Sequence, residues 1–163
     1  MASEVRIGLI GGGLMGRELA AAIARWAALD EHPVRPRLTA VCDTNPAALG
    51  WFDRIDSVTH RTGDYAELLA GDADVVYIAV PHHLHEELYV AAATAGKDFL
   101  AEKPFGIDLG AAQRIAAAIE RAGVFVRCSS ELPFFPGAQL AYEMLAGGAL
   151  GQPIEASNDF LHS

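Results

Sequence analysis

The sequence predicts an α/β fold: a doubly wound parallel sheet with helices packed on both faces. Three observations carry that prediction. Short apolar runs rich in β-branched residues alternate with amphipathic runs of helical period, the pattern of strand–helix–strand units. The strand-like runs are apolar throughout rather than alternating, as expected of strands covered on both sides. Single helices of about 10–15 residues separate them, enough for right-handed crossovers between parallel neighbours.

Taken in order, Val5–Ile10 reads as the first buried strand. Residues 14–29 place Met15, Leu19, Ile23 and Trp26 on one helical face. The polar, proline-bearing stretch "LDEHPVRPR" reads as a loop before a second strand at Leu38–Cys42. Asn45–Ile55 is a short helix entered at Pro46, whose fixed φ suits a first turn. Ser57–His60 is a weak strand and Asp64–Leu69 a short helix. "DVVYIAV" at 74–80 is a strong strand, followed by a helix over Leu84–Ala95 that Gly96 closes. Phe99–Glu102 is the next strand, Leu109–Ala122 a helix closed by Gly123, and Val124–Cys128 a sixth strand. Residues 137–146 are helical, and Ile154–Leu161 reads as one more strand.

Composition narrows the classes of function. Hydrophobic residues make up 52% of the 163 residues and charged residues 20%, which specifies a packed core. A net charge of −9 argues against nucleic acid or an anionic membrane surface as partner, because both need basic patches. No run approaches the roughly 20 apolar residues of a membrane span, and "MASEVRIGLIGGG" is not a secretory leader. Cys42 and Cys128 lie inside separate apolar runs and read as two buried, reduced thiols, which points to the cytoplasm.

The turn after the first strand is "GGGLMG", which gives Gly11, Gly13 and Gly16 the spacing G-x-G-x-x-G. In the dinucleotide-binding fingerprint the first glycine permits the tight turn and the second lets backbone approach a pyrophosphate. The third packs helix on strand, and the helix N-terminus, here Leu14 and Met15, supplies free N–H groups. Preceding strand and following helix are the context that the motif needs. The second strand ends in Asp43, an acid suited to the ribose hydroxyls of NAD and repellent to a 2′-phosphate. Asp43 lies 27 positions after Gly16, beyond the usual spacing of about 20, and the polar loop accounts for the excess. Asp43 is equally a residue type that caps helices and turns ahead of Thr44-Asn45-Pro46. NAD is preferred over NADP, although Arg54 and Arg61 could rescue a phosphate.

The stretch "DVVYIAVPHHLHEELYVAAATAGKDFLAEKPFGIDLGAAQRI" resembles the centre of the glucose–fructose oxidoreductase / inositol dehydrogenase (Gfo/Idh/MocA) family. Pro81, His85, Gly96, Lys97, Glu102, Lys103 and Pro104 match that family's ordered motif, and the glycine fingerprint and Asp43 match as well. The resemblance implies an NAD(P)-dependent oxidoreductase of sugars, cyclitols or related polyols, with an N-terminal Rossmann domain. It implies that Glu102 meets the nicotinamide ribose and that Lys103 is the catalytic lysine at the reacting carbon. Pro104 stops the strand and keeps Lys103 extended, and the Lys-Pro peptide is a candidate cis bond. A lysine beside a positive nicotinamide ring can take the hydroxyl proton as hydride leaves, or stabilise the alkoxide in reverse. Without the other motifs, Glu102-Lys103 would be an exposed ion pair of little energetic weight.

His82 and His85 have a spacing that a metal could use, but no cysteine or acid partners them, so no metal is assigned. The histidines instead begin a helix after Pro81 and border the nicotinamide ribose beside Val80 and Pro81. His82 and Val80 depart from an asparagine and a threonine frequent in relatives. Glu131, Leu132 and Pro133 stand where many relatives carry an asparagine and arginines, so no named member's substrate carries over. Residues 1–130 are assigned to the dinucleotide domain, and 131–163 to the passage into a truncated second domain through which the full-length protein would oligomerise. On that reading the piece alone binds cofactor without turning over a polyol. A nucleotide-binding sensor without turnover, and NAD-assisted glycoside cleavage, are the alternatives.

Overall fold

A computed structural model of the chain describes residues 3–29 and 33–157. Among them, six strands form one parallel sheet in the order β3-β2-β1-β4-β5-β6. The strands are β1 (Ser3–Ile10), β2 (Val34–Cys42), β3 (His60–Thr62), β4 (Val75–Ile78), β5 (Asp98–Ala101) and β6 (Val126–Cys128). The helices of the same unit are α1 (Leu14–Ala24), α2 (Pro46–Gly50), α3 (Tyr65–Ala70), α4 (His85–Thr94) and α5 (Leu109–Ala122). The order reverses between β1 and β4, as it must in a doubly wound sheet, and ligands of such sheets sit outside the carboxyl ends there.

Alternate side chains of the central strands feed two separate cores, which is why those strands are apolar throughout. Leu9, Val41 and Tyr77 pack with Ala20 of α1 and with Phe52 on one face. Ile10, Ile78 and Phe99 pack with Leu68 of α3, Tyr89 of α4 and Ile115 of α5 on the other. The stripe of α1 is rotated from the expected one. Gly16 and Ala20 are its buried residues, whereas Met15 is 46% exposed. Small side chains let the helix axis come close to the sheet, and Leu19 and Ile23 of the expected stripe pack partly buried against the same core.

Three further expectations are corrected. Val34–Arg37 belong to β2 rather than to the preceding loop, and α1 stops at Ala24 before a short 3-10 turn at Trp26–Ala28. The long spacing from Gly16 to Asp43 thus comes from extra turn and strand as well as loop. Cys42 is buried but Cys128 is exposed, because β6 is the outermost strand and has only three residues.

The helix boundaries follow local chemistry. The Asp64 carboxylate accepts the Ala66 N–H at 2.8 Å to open α3. Asp108 accepts the Ala111 N–H at 2.7 Å to open α5, and Gly123 closes it in the left-handed conformation, φ +68°. Asp108→Ala should lower stability by about 1 kcal/mol, read as a lower urea midpoint with an unchanged slope.

Contacts divide the chain into two compact units, Met1–Ser129 and Ser130–Ser163. In the second, a 3-10 turn at Leu132–Phe134 precedes α6 (Pro136–Ala146). Residues 154–157 of the anticipated last strand carry no regular structure, and 158–161 lie outside the described residues. No helix among the described residues is long and apolar enough to cross a membrane.

Candidate active site at the strand tips

The carboxyl ends of β1, β2 and β4 enclose a cleft of about 340 Å³, lined by Gly11, Gly13, Asp43, Gly63, Val80 and Pro81 among others. Backbone bonds continue past the strands and fix its floor. Gly11 N–H donates to Cys42 O at 2.9 Å, Ala79 N–H to Ile10 O at 2.8 Å and Asp43 N–H to Thr62 O at 3.1 Å.

The three fingerprint glycines do three different jobs. Gly11 has φ +103°, and a Cβ there would lie 2.1 Å from Ala79 O. A Cβ on Gly16 would lie 2.1 Å from Gly11 O, so its absence lets α1 sit against the loop. Around Gly13 the protein places nothing within 4 Å of a Cβ. The fold therefore does not require glycine at that position; a ligand seated against the backbone there would. Gly13 is also the N-cap of α1 and provides no side-chain cap, which leaves first-turn N–H groups for an anion. Leu14 and Met15, at that first turn, are exposed.

Asp43 fills the turn role anticipated for it and also holds the glycine loop. Oδ1 accepts the Asn45 N–H at 2.8 Å, forming the turn into α2, while Oδ2 accepts the Gly12 N–H at 2.7 Å. The carboxylate therefore braces the glycine loop and still keeps lone pairs at the cleft wall. The arginines nearby all have partners, Arg17 through Nε to Gly12 O at 3.3 Å among them. Arg61 pairs with Asp53 at 3.1 Å and donates to Phe52 O at 3.1 Å. The Arg54 and Arg17 guanidiniums lie 4.9 and 5.2 Å from the Trp51 ring centre. Burial, aided by Asp43, Asp64 and Glu67, pushes the Cys42 thiol in the cleft wall up to about 11, so it remains a neutral, unreactive thiol. Tyr65 donates to Glu87 Oε1 at 2.9 Å, joining α3 to α4 where both residues line the cleft.

The tip of β5 holds the remaining residues. Glu102 is buried and Lys103, next to it, is exposed. Glu102 Oε1 accepts a short hydrogen bond from the Tyr77 hydroxyl, and Oε2 accepts the Lys103 N–H at 3.2 Å. Burial and then that carboxylate hold the Tyr77 phenol well above its usual range, so it remains the donor. The Lys103-Pro104 peptide is cis. His82 is exposed on the 3-10 turn after Pro81. His85 is fully buried, with Nδ1 2.8 Å from Pro104 O and Nε2 3.0 Å from Val80 O. Among the described residues, no group of three or more His, Cys, Asp or Glu side chains is placed to hold a metal ion.

The structure thus gathers Gly11, Gly13, Asp43, Val80 and Pro81 around one cleft and puts Glu102, Lys103 and His85 at adjoining strand tips. Tyr77 and Tyr89 were not anticipated. A hydroxyl within the otherwise apolar "DVVYIAV" was the available signal for Tyr77, since a buried phenol needs a partner. For Tyr89 it was the helical spacing from His85, which puts both on one face.

The sequence matches the oxidoreductase family with an NAD-binding Rossmann fold, GFO_IDH_MocA, over residues 5–130. It is 28% identical over 164 aligned positions to levoglucosan dehydrogenase of Pseudarthrobacter phenanthrenivorans, covering 97% of this chain and 41% of that protein. It is 29% identical over 123 positions to D-xylose 1-dehydrogenase (NADP(+)) of Hypocrea jecorina, covering 72% of this chain and 32% of that one. The crystal structure of an NAD binding oxidoreductase from Klebsiella pneumoniae superposes with a TM-score of 0.85 at 36% identity, over 93% of this chain and 41% of that one. The chain therefore spans about two fifths of the length of the levoglucosan dehydrogenase and of the Klebsiella pneumoniae protein.

Proposed function

The chain belongs to the Gfo/Idh/MocA family of NAD-binding oxidoreductases, and on that premise we propose that it is the nucleotide-binding half of a sugar, cyclitol or polyol dehydrogenase. The observation that carries this reading is the clear space at Gly13, in the lining of a cleft that Asp43, Val80 and Pro81 also border. Residues 1–130 are the dinucleotide domain in this reading and 131–163 lead into the substrate domain. The protein acts on a small molecule, resides in the cytoplasm and oligomerises through the second domain's sheet.

A nicotinamide dinucleotide bound here supplies the two-electron carrier for hydride transfer. The chain's own residues do the rest. Gly11 and Gly13 give the pyrophosphate access to backbone, and the first turn of α1, at Leu14 and Met15, offers it N–H donors. Gly16 holds that helix in place. Asp43 accepts the adenosine ribose hydroxyls with the lone pairs that Gly12 and Asn45 leave free. Val80, Pro81 and His82 border the nicotinamide end. Glu102 meets the nicotinamide ribose while Tyr77 keeps its carboxylate from turning away. The Lys103 amine works at the substrate oxygen, taking the hydroxyl proton during oxidation and stabilising the alkoxide in reduction.

NADH formation by the full-length protein across a panel of sugars, cyclitols and polyols tests the activity. Binding of NADH with no turnover of any of them would turn the reading toward a nucleotide sensor. Cofactor choice is a separate matter: we propose NAD over NADP, because Asp43 faces the cleft and Arg61 is committed to Asp53. Calorimetric titration should show NADH binding roughly tenfold or more tighter than NADPH, the scale of one charged contact of about 1.4 kcal/mol. Asp43→Ala should weaken NADH binding and narrow the gap. Equal or tighter binding of NADPH by the parent chain sinks the preference.

A further inference from the structure

We propose that His85 and Tyr89, one helical turn apart on α4, clamp the backbone on both sides of Lys103 and thereby set where its amine sits. The inference rests on the catalytic role just proposed for Lys103.

The ladder of β5 ends at Ala101, which pairs with Ile78 of β4 and Cys128 of β6. Beyond it, Glu102 has a buried N–H and C=O with no strand beside them to satisfy both. One side chain takes both: the Tyr89 hydroxyl accepts the Glu102 N–H at 2.8 Å and donates to Glu102 O at 3.0 Å. Tyr89 is itself fully buried and stacked between Phe99 at 5.4 Å and Phe105 at 6.0 Å, so its hydroxyl has one place to be.

His85 works from one turn earlier, its ring 4.9 Å from that of Tyr89. It sits between the Pro104 carbonyl, on the far side of Lys103, and the Val80 carbonyl in the cleft wall. In the neutral ring one nitrogen carries the proton and donates to its carbonyl, while the other makes no hydrogen bond to the second; the imidazole fills the space between the tips of β4 and β5. The outcome is a lysine with an exposed side chain on a backbone held at the preceding and the following residue. His85, buried with both nitrogens facing protein carbonyls, presents no polar atom to a cofactor. It is a positioning residue, where its place after Pro81 had suggested a neighbour of the nicotinamide ribose.

Tyr89→Phe removes the hydroxyl and keeps the aromatic stack, and His85→Gln keeps an N–H donor but loses the rigid ring that fills the space between the two carbonyls. In this chain, amide hydrogen exchange at Glu102 should speed up about fivefold or more in Tyr89→Phe, the scale of one net hydrogen bond. In the full-length protein, both variants should lower kcat about tenfold or more, with KM and NADH affinity within roughly twofold of the parent, because misplacement acts on the reacting geometry. Loss of packing alone would lower the melting temperature without that split between kcat and KM. Unchanged exchange at Glu102, or faster exchange with unchanged kcat, overturns the clamp. A Lys103→Met arm separates the two ideas. If that variant is inactive while both clamp variants turn over normally, the clamp is wrong and the lysine's role stands; if it turns over normally, the lysine's role fails and the clamp's purpose with it.

Discussion

A Gly13→Val variant is expected to lose NADH binding by at least about a hundredfold, or ~2.7 kcal/mol, while folding almost as well as its parent. The two halves of that expectation come from one measurement on the structure. A Cβ at position 13 meets no protein atom within 4 Å, and the backbone there is extended, φ −73° and ψ −158°. Valine is sterically acceptable to the fold and costs only the difference in N-cap preference, ~1 kcal/mol or less. A branched side chain would nevertheless fill the space that the pyrophosphate must enter. Gly11→Ala and Gly16→Ala make the contrasting controls, because their methyl groups would lie 2.1 Å from the Ala79 and Gly11 carbonyl oxygens. Both should lose stability first, seen as a lower melting temperature, and binding second. Normal NADH affinity in Gly13→Val, checked by calorimetry beside a thermal melt, would mean that the cleft is not the nucleotide site.

The same distinction explains which parts of the molecule could be read from its sequence. Features set by neighbours in the chain were legible. Helix α5 spans Leu109–Ala122 as expected because Asp108 and Gly123 encode its two ends locally. Features set by partners far away were not. Val34–Arg37 contain Pro36 and two arginines, which read as loop, yet they extend β2 along β1. The proline is tolerated because β3 pairs only with Ala40–Cys42, so at Pro36 the β3 side of β2 is open and needs no donor. Asp43 stood out as a candidate ribose acid from its place after a strand. Its bond to the Gly12 N–H joins residues 31 apart in sequence and required the fold to be seen. The charged tip at 102–104 was visible as a strand that stops abruptly. What holds it, the Tyr77 and Tyr89 hydroxyls and the His85 ring, comes from the preceding strand and helix.

Lys103→Met in the full-length protein should cut turnover by roughly 10²–10⁴-fold, the usual contribution of a positioned acid–base group, and leave NADH affinity nearly unchanged. Methionine keeps the length and apolar stem of lysine, so the substitution removes the ammonium and little else. The amine is exposed at the strand tip rather than buried in the cleft. In the proposed role it works on the substrate rather than on the cofactor, and losing it should not disturb the groups around Gly13 and Asp43. The carboxylate next to it behaves differently. Glu102 accepts from Tyr77 and from the Lys103 amide, so Glu102→Gln should perturb both cofactor affinity and kcat. A variant that keeps parental turnover would place the proton acceptor on another residue.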